Sequence, residues 1–206
     1  SSVSYVCCAF TGKWDKQKAK PERLKSKEVI SPESQKQLLK LARGTISYYL
    51  NYSGLPEPKA IGVTITPDMK KVMGAFVTLH KKSGRLRGCI GEIQPRRALW
   101  SAVRQQAFNA AFRDWRFTPL KAKELENIHI EISALTPPVQ VKSYKDIVLG
   151  RDGIILKRGN RSAVFLPQVA TEQGWNLAET LSYLSRKAGL PADAWREDGT
   201  TFKVFQ

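Results

Sequence analysis

The sequence predicts an α+β fold: a mainly antiparallel sheet flanked by helices, with a smaller α/β subdomain. Two hairpin-like segments point to it, Gly74 to Ile93 and Ile154 to Leu166, each with a glycine-containing turn between apolar runs. Three stretches with helical apolar spacing are scattered between them, and strands and helices follow one another without a βαβ rhythm. The 206 residues suffice for one domain, or for a domain with a subdomain.

The elements follow in order. Val3 to Phe10 is apolar on both strand faces, as a fully buried strand reads, so residues 1–10 are expected to form a terminal strand. Residues 11–30 are a charged linker, since Thr11 to Glu28 carries seven basic and three acidic residues and little to bury. The main domain is expected over 31–206. Ser31 caps a helix with Pro32 in its first turn, and Leu38, Ala42, Ile46 and Tyr49 mark its inner face up to Ser53-Gly54. Gly74 to His80 and Arg85 to Ile93 are strands joined at Ser83-Gly84, and Arg97 to Phe112 is a second helix. Ile128 to Leu135 alternates as a half-buried strand. A second hairpin turns at Gly159-Asn160, and Asn176 to Glu179 forms a capping box opening a third helix. A last strand covers Thr201 to Phe205.

Hydrophobic residues make up 42% and charged residues 25%, which excludes a disordered or collagenous chain. No apolar run reaches the ~18 residues of a membrane span, so no membrane association is expected and the reading is a cytoplasmic protein. Three cysteines and two histidines form no zinc framework, so no metal site is expected, and nothing names a cofactor. The formal net charge is +16, and residues 1–104 hold 20 Lys and Arg against 7 Asp and Glu. Such a balance favours an anionic partner, such as RNA or an acidic ligand, or else marks a solubilising face.

With a two-residue turn at Ser83-Gly84, Cys89 faces Thr78 and Arg87 faces His80, so these four share one sheet face while Ala75, Val77, Leu79 and Ile90 point to the core. A three-residue loop would reverse one strand. A cation two residues from a thiol favours the thiolate, and Gly88 and Gly91 leave room for a ligand or another backbone. If the Ile128 strand joins this sheet, Glu131 and His129 lie on the same side, giving a cysteine, a candidate base and a carboxylate on one surface. The competing reading is packing, because free cysteine is among the most buried residue types. In that reading Glu131 is a salt-bridge partner of Arg87 or Arg116, and His80 is a solvated strand residue.

The string Leu86-Arg-Gly-Cys-Ile-Gly91 resembles the signature of the AMMECR domain family. Ala111 to Leu120, His129 to Ser133, Leu135 to Pro138, Arg161-Ser162 and Leu166 to Glu172 followed by Gly174-Trp175 match in the same order, so the resemblance runs from about Ser31 to the C-terminus. It implies an α+β protein with a larger and a smaller part, and an activity at Arg87 and Cys89 whose reaction is not settled. Trp115 stands where the family's Asp-Pro-Arg-Phe motif has proline, while Asp114, Arg116 and Phe117 match. The family is also similar to one that travels with Memo-type domains and radical S-adenosylmethionine proteins, sometimes as fusions, and residues 1–10 resemble the closing strand of an upstream Memo-type domain, which is therefore an expected partner.

Two classes of function follow. The first is an enzyme, or a component of an enzyme system, acting on an anionic substrate with Cys89, Arg87 and Glu131 as catalytic residues. Its substrate contacts would be Gly88, Gly91, His80, Asp114, Arg116, Arg161 and Gln168. The second is an RNA-binding or adaptor module with a structural Cys89, suggested by nine basic residues against Glu92 alone over residues 70–104 and by the interleaving of Arg113, Trp115, Arg116 and Phe117.

Overall fold

The structure, a computed structural model, describes residues 30–206; the expected strand at 1–10 and all but the last residue of the expected linker 11–30 lie outside the described residues. The described chain divides into two compact units, residues 30–134 and 135–206. The fold is α+β, with one three-stranded and one four-stranded sheet among the described residues.

In the first unit, helix α1 (Pro32–Tyr52) starts where the sequence places it, with the Ser31 hydroxyl accepting from the Ser34 N–H and Pro32 in the first turn. It ends at Ser53 in the left-handed region, φ 55°. The hairpin of β1 (Gly74–Lys81) and β2 (Leu86–Glu92) leads into α2 (Leu99–Phe112). A one-turn helix, α3 (Ala122–Leu125), then precedes β3 (Ile128–Leu135). The sheet order is β2-β1-β3. Leu38, Leu41, Ala42 and Ile46 of α1 join one core with Leu99, Ala102, Val103 and Ala107 of α2, and with Ala75, Val77, Leu79, Ile130 and Ile132 of the sheet. The strand parity expected from the sequence therefore holds for the core face.

The opposite face departs from expectation. Glu131 and Ser133 are buried as well, so β3 is covered on both sides rather than half-buried; only His129 of that row is exposed. The hairpin turn also differs. It is the three-residue loop Lys82-Ser83-Gly84, closed by the Lys81 N–H on the Arg85 carbonyl at 2.8 Å, with Gly84 at φ 79°. This shifts the adjacent pairing by one, so that His80 sits opposite Leu86, and a β-bulge at Arg87 then removes the shift. From there Leu79 faces Gly88 and Thr78 faces Cys89. The expected Thr78 to Cys89 pair is thus formed, whereas the expected Arg87 to His80 pair is not.

The second unit builds a sheet in the order β4-β7-β5-β6 from β4 (Val139–Val141), β5 (Gly153–Arg158), β6 (Arg161–Phe165) and β7 (Thr200–Phe205). Arg158 pairs with Arg161 across the expected two-residue turn, where Gly159 takes φ 57°. Two helices complete it, the short α4 (Val169–Gln173) and α5 (Leu177–Lys187). The Asn176 and Glu179 side chains close the capping box on α5, whose Leu181 and Leu184 are buried against Ile154, Leu156 and Phe202. Among the described residues no helix is long and apolar enough to cross a membrane.

Candidate functional site around Cys89

Strand β2 is an edge of its sheet, and the N–H and C=O of Cys89 point away from β1 toward that edge. Buried groups of this kind need partners. Asp114 Oδ2 accepts from the Cys89 N–H at 2.9 Å, and Arg116 Nη2 donates to the Cys89 carbonyl at 3.0 Å. Asp114 and Arg116 are themselves joined in two places, at 2.7 and 2.8 Å. The segment Asp114-Trp115-Arg116 therefore stands in for a neighbouring strand and fixes the backbone that carries the thiol. Burial pushes the Asp114 carboxyl up, but the hydrogen bonds from Arg116 and the Cys89 N–H outweigh it, and the carboxyl stays below the usual range. Trp115, in the place of the motif's proline, leaves these contacts intact and turns its side chain outward.

Cys89 is 8% exposed. Its Sγ accepts from the Thr78 hydroxyl at 3.2 Å, and the close approach matches a non-hydrogen-bonded cross-strand pair. Burial pushes the thiol up; the Thr78 hydrogen bond and the Arg116 charge offset this only in part. The expectation that Arg87 favours the thiolate is thereby corrected: the cation acting on the sulfur is Arg116. Glu131 is 7% exposed. Its Oε2 lies 3.5 Å from His80 Nε2, and its Oε1 is buried with no partner among the described residues. Burial pushes the carboxyl up, His80 offsetting this in part, and the Glu131 charge acts in turn on the Cys89 thiol. The salt-bridge partners expected for Glu131, Arg87 and Arg116, are engaged elsewhere.

Arg87 is the bulged residue, and its side chain leaves the sheet face. Nε and Nη2 donate to both oxygens of Glu124 at 2.9 and 3.1 Å, and Nη2 also donates to the Thr118 carbonyl. The guanidinium lies over the Phe117 ring, with Nη1 buried and without a hydrogen-bond partner among the described residues. Arg87 holds the Glu124 carboxyl down at about 2. Gly88 and Gly91 admit the close approach of other parts of the protein. A Cβ on Gly88 would lie 2.1 Å from the Ala110 carbonyl oxygen, and one on Gly91 would lie 2.2 Å from the Phe76 ring, so the first admits the α2 backbone and the second an aromatic side chain. Arg161 and Gln168 belong to the second unit. Arg161 is exposed and donates to the Gly189 carbonyl; Gln168 precedes α4 with both side-chain amide atoms buried and without a hydrogen-bond partner among the described residues.

The structure thus brings Cys89, Thr78, Glu131 and His80 onto one sheet face, locks it with Asp114 and Arg116, and sends Arg87 toward α3. Sequence reasoning missed Glu124 as the partner of Arg87. No local spacing signals that pair, which spans 37 positions; the Lys121 N–H on Glu124 marks only the start of α3. No group of His, Cys, Asp and Glu suited to hold a metal occurs among the described residues.

Residues 39–206 match the family model AMMECR1. Protein NEQ441 of Nanoarchaeum equitans is 38% identical over 175 residues, covering 82% of this chain and 95% of its own length. Protein PF1979 of Pyrococcus furiosus is 40% identical over 178 residues, 82% of each chain. Among solved structures, the uncharacterized protein PH0010 from Pyrococcus horikoshii superposes with a TM-score of 0.73 at 36% identity, covering 86% of this chain and 91% of that one. The chain belongs to the AMMECR1 family.

Proposed function

We propose that this domain is an enzyme, or a component of an enzyme system that includes Memo-type and radical S-adenosylmethionine proteins, acting on an anionic substrate through Cys89 and Glu131. The observation that carries the reading is the Glu131 carboxyl: buried, raised, one oxygen bare, and close enough for its charge to act on the thiol. A buried carboxyl left unsatisfied costs stability and is characteristic of a group kept for acid–base work. In this reading the Cys89 sulfur bonds to an electrophilic carbon of the substrate, the thiol proton passes to Glu131, and the leaving group departs with that proton. His80 orients Glu131, and Arg116, whose charge acts on the sulfur, supplies the cation for an anionic group.

The competing reading, an adaptor with a structural Cys89, draws on the burial of the thiol and its upward shift. Alkylation of the folded chain, with Cys7 and Cys8 replaced by serine, separates the two. A working site reacts with iodoacetate faster than with iodoacetamide, and Glu131→Gln slows the reaction by about a hundredfold, the low end of general-base effects. Reaction only at the rate of unfolding, unchanged in Glu131→Gln, overturns the enzyme reading. Cys89→Ser then serves the intact system: the variant stays folded and inactive if the sulfur is the nucleophile, and retains activity per folded molecule if it only packs.

A further inference from the structure

We infer that the loop following α2 is a binding site for single-stranded nucleic acid, with Trp115 as the platform on which a base stacks. Trp115 is 90% exposed, more than any other large hydrophobic side chain among the described residues. It makes no contribution to either core, so the fold does not account for it.

The residues beside it are cationic and held in place. Arg113 lies over the Phe108 ring at 4.9 Å, and Arg116 is fixed by Asp114 and lies over the Phe117 ring at 5.5 Å. Both flanking guanidiniums are thus ordered before any ligand arrives, which lowers the entropy lost on binding. The acids of the segment are largely spent: Asp114 is buried under Arg116 and the Cys89 N–H, and Glu124 is engaged by Arg87. Lys121 and Lys123 are exposed, and Glu126 is the single exposed carboxylate over residues 112–127.

The loop follows the β2 edge toward the hairpin turn. Arg116 reaches the Cys89 carbonyl, the Thr118 carbonyl accepts from Arg87, and Lys81 at the turn acts on Glu124. Lys82 and Arg85 of that turn are exposed, so the positive strip continues past α3. A flat, solvent-facing indole set among ordered cations matches a ligand that offers both a π-face and a phosphate backbone. In a duplex the base faces are occupied by their neighbours, so the occupant is single-stranded. An acidic peptide would use the cations and leave the indole idle. This inference stands apart from the role of Cys89.

The test uses the full chain and a fluorescein-labelled single-stranded oligouridylate of about twelve nucleotides, within the usual site size, with anisotropy and tryptophan emission read together. Binding quenches tryptophan emission, weakens with salt by roughly 0.7 in log-log slope per phosphate contacted, and exceeds binding to a duplex of equal length. Trp115→Ala weakens it about 5- to 150-fold, the range of one base stacked on an aromatic ring, while Trp115→Phe retains most of the affinity. Joint replacement of Lys121 and Lys123 by glutamine lowers the salt slope and leaves the quenching. Equal affinity of Trp115→Ala and the parent overturns the inference. So does equal or tighter binding of polyglutamate, or of phosphatidylserine vesicles, with the tryptophan response confined to those ligands.

Discussion

Glu131 in the first unit and Asp152 in the second are both buried carboxylates, and the two units treat them in opposite ways. Asp152 accepts from Arg151 Nε at 2.7 Å, from Arg151 Nη2 at 2.8 Å and from the Val148 N–H at 2.9 Å. Burial pushes its carboxyl up, but these donors outweigh burial and it lies below the usual range. Glu131 has His80 at 3.5 Å, a bare Oε1, and a carboxyl above the usual range. The first arrangement closes a turn, since Val148 and Asp152 bracket residues 149–151. The second leaves an unsatisfied group next to a thiol. Burial of a charged residue type is thus no sign of function by itself; what distinguishes the two is the count of donors aimed at each carboxylate.

The largest way to disturb this contrast is to dislodge the first sheet from α2. Gly88→Ala drives a methyl group against the Ala110 carbonyl, backbone against backbone, and is expected to cost about 3 kcal/mol or more, beyond ordinary overpacking. Urea unfolding followed by circular dichroism measures it. Next, Asp114→Ala removes the acceptor shared by the Cys89 N–H and Arg116 and is expected to cost about 3 kcal/mol, the low end for breaking a buried pair. Its midpoint in the same titration should fall while the slope stays constant.

Paired replacement of the two carboxylates sharpens the contrast directly. Asp152→Asn is expected to cost about 2 kcal/mol, because it weakens charge-assisted bonds from Arg151 and Val148. Glu131→Gln is expected to change stability by less than about 1 kcal/mol, or to raise it, because it relieves a buried charge. Equal losses in both variants would remove the distinction drawn between them. The smallest effect is in the pH dependence. The Glu131 carboxyl lies above its ordinary 4.5 when folded, so its contribution to stability is full below pH 4.5 and is lost as pH rises through the folded value. Asp152 lies below its ordinary 3.8, so its contribution is present above pH 3.8 and is lost as pH falls through the folded value. Thermal melts across pH should show Glu131→Gln flattening the first decline and Asp152→Asn the second.

Much of the fold was legible because it depends on local patterns. The Ser31 cap, the Asn176 capping box, the Gly159-Asn160 turn and the bounds of β3 rest on side chains within a few residues of one another. The helices α3 and α4 and the strand β4 escaped notice, having five residues or fewer and too little length for a period to show. At the site, the Thr78 to Cys89 pair was read from a two-residue turn that does not exist. The pairing stands because the three-residue turn and the bulge at Arg87 displace the register in opposite senses. Arg87 itself was misplaced for the same reason, since parity has no meaning for a bulged residue.

By itself the sequence determined the core face of the first hairpin and of β3 and the family to which the chain belongs; it placed Cys89 and Glu131 on one face on the condition that β3 joins the hairpin's sheet, which the order β2-β1-β3 meets. Alternation with period two and motifs read in order suffice for that, being properties of neighbouring residues. Only the tertiary structure decided which ionisable groups are answered: Arg87 by Glu124, thirty-seven positions away, the Cys89 backbone by Asp114 and Arg116, and Glu131 by His80 alone. Whether a buried charge is satisfied depends on donors brought in from distant segments, and neither composition nor period carries that information.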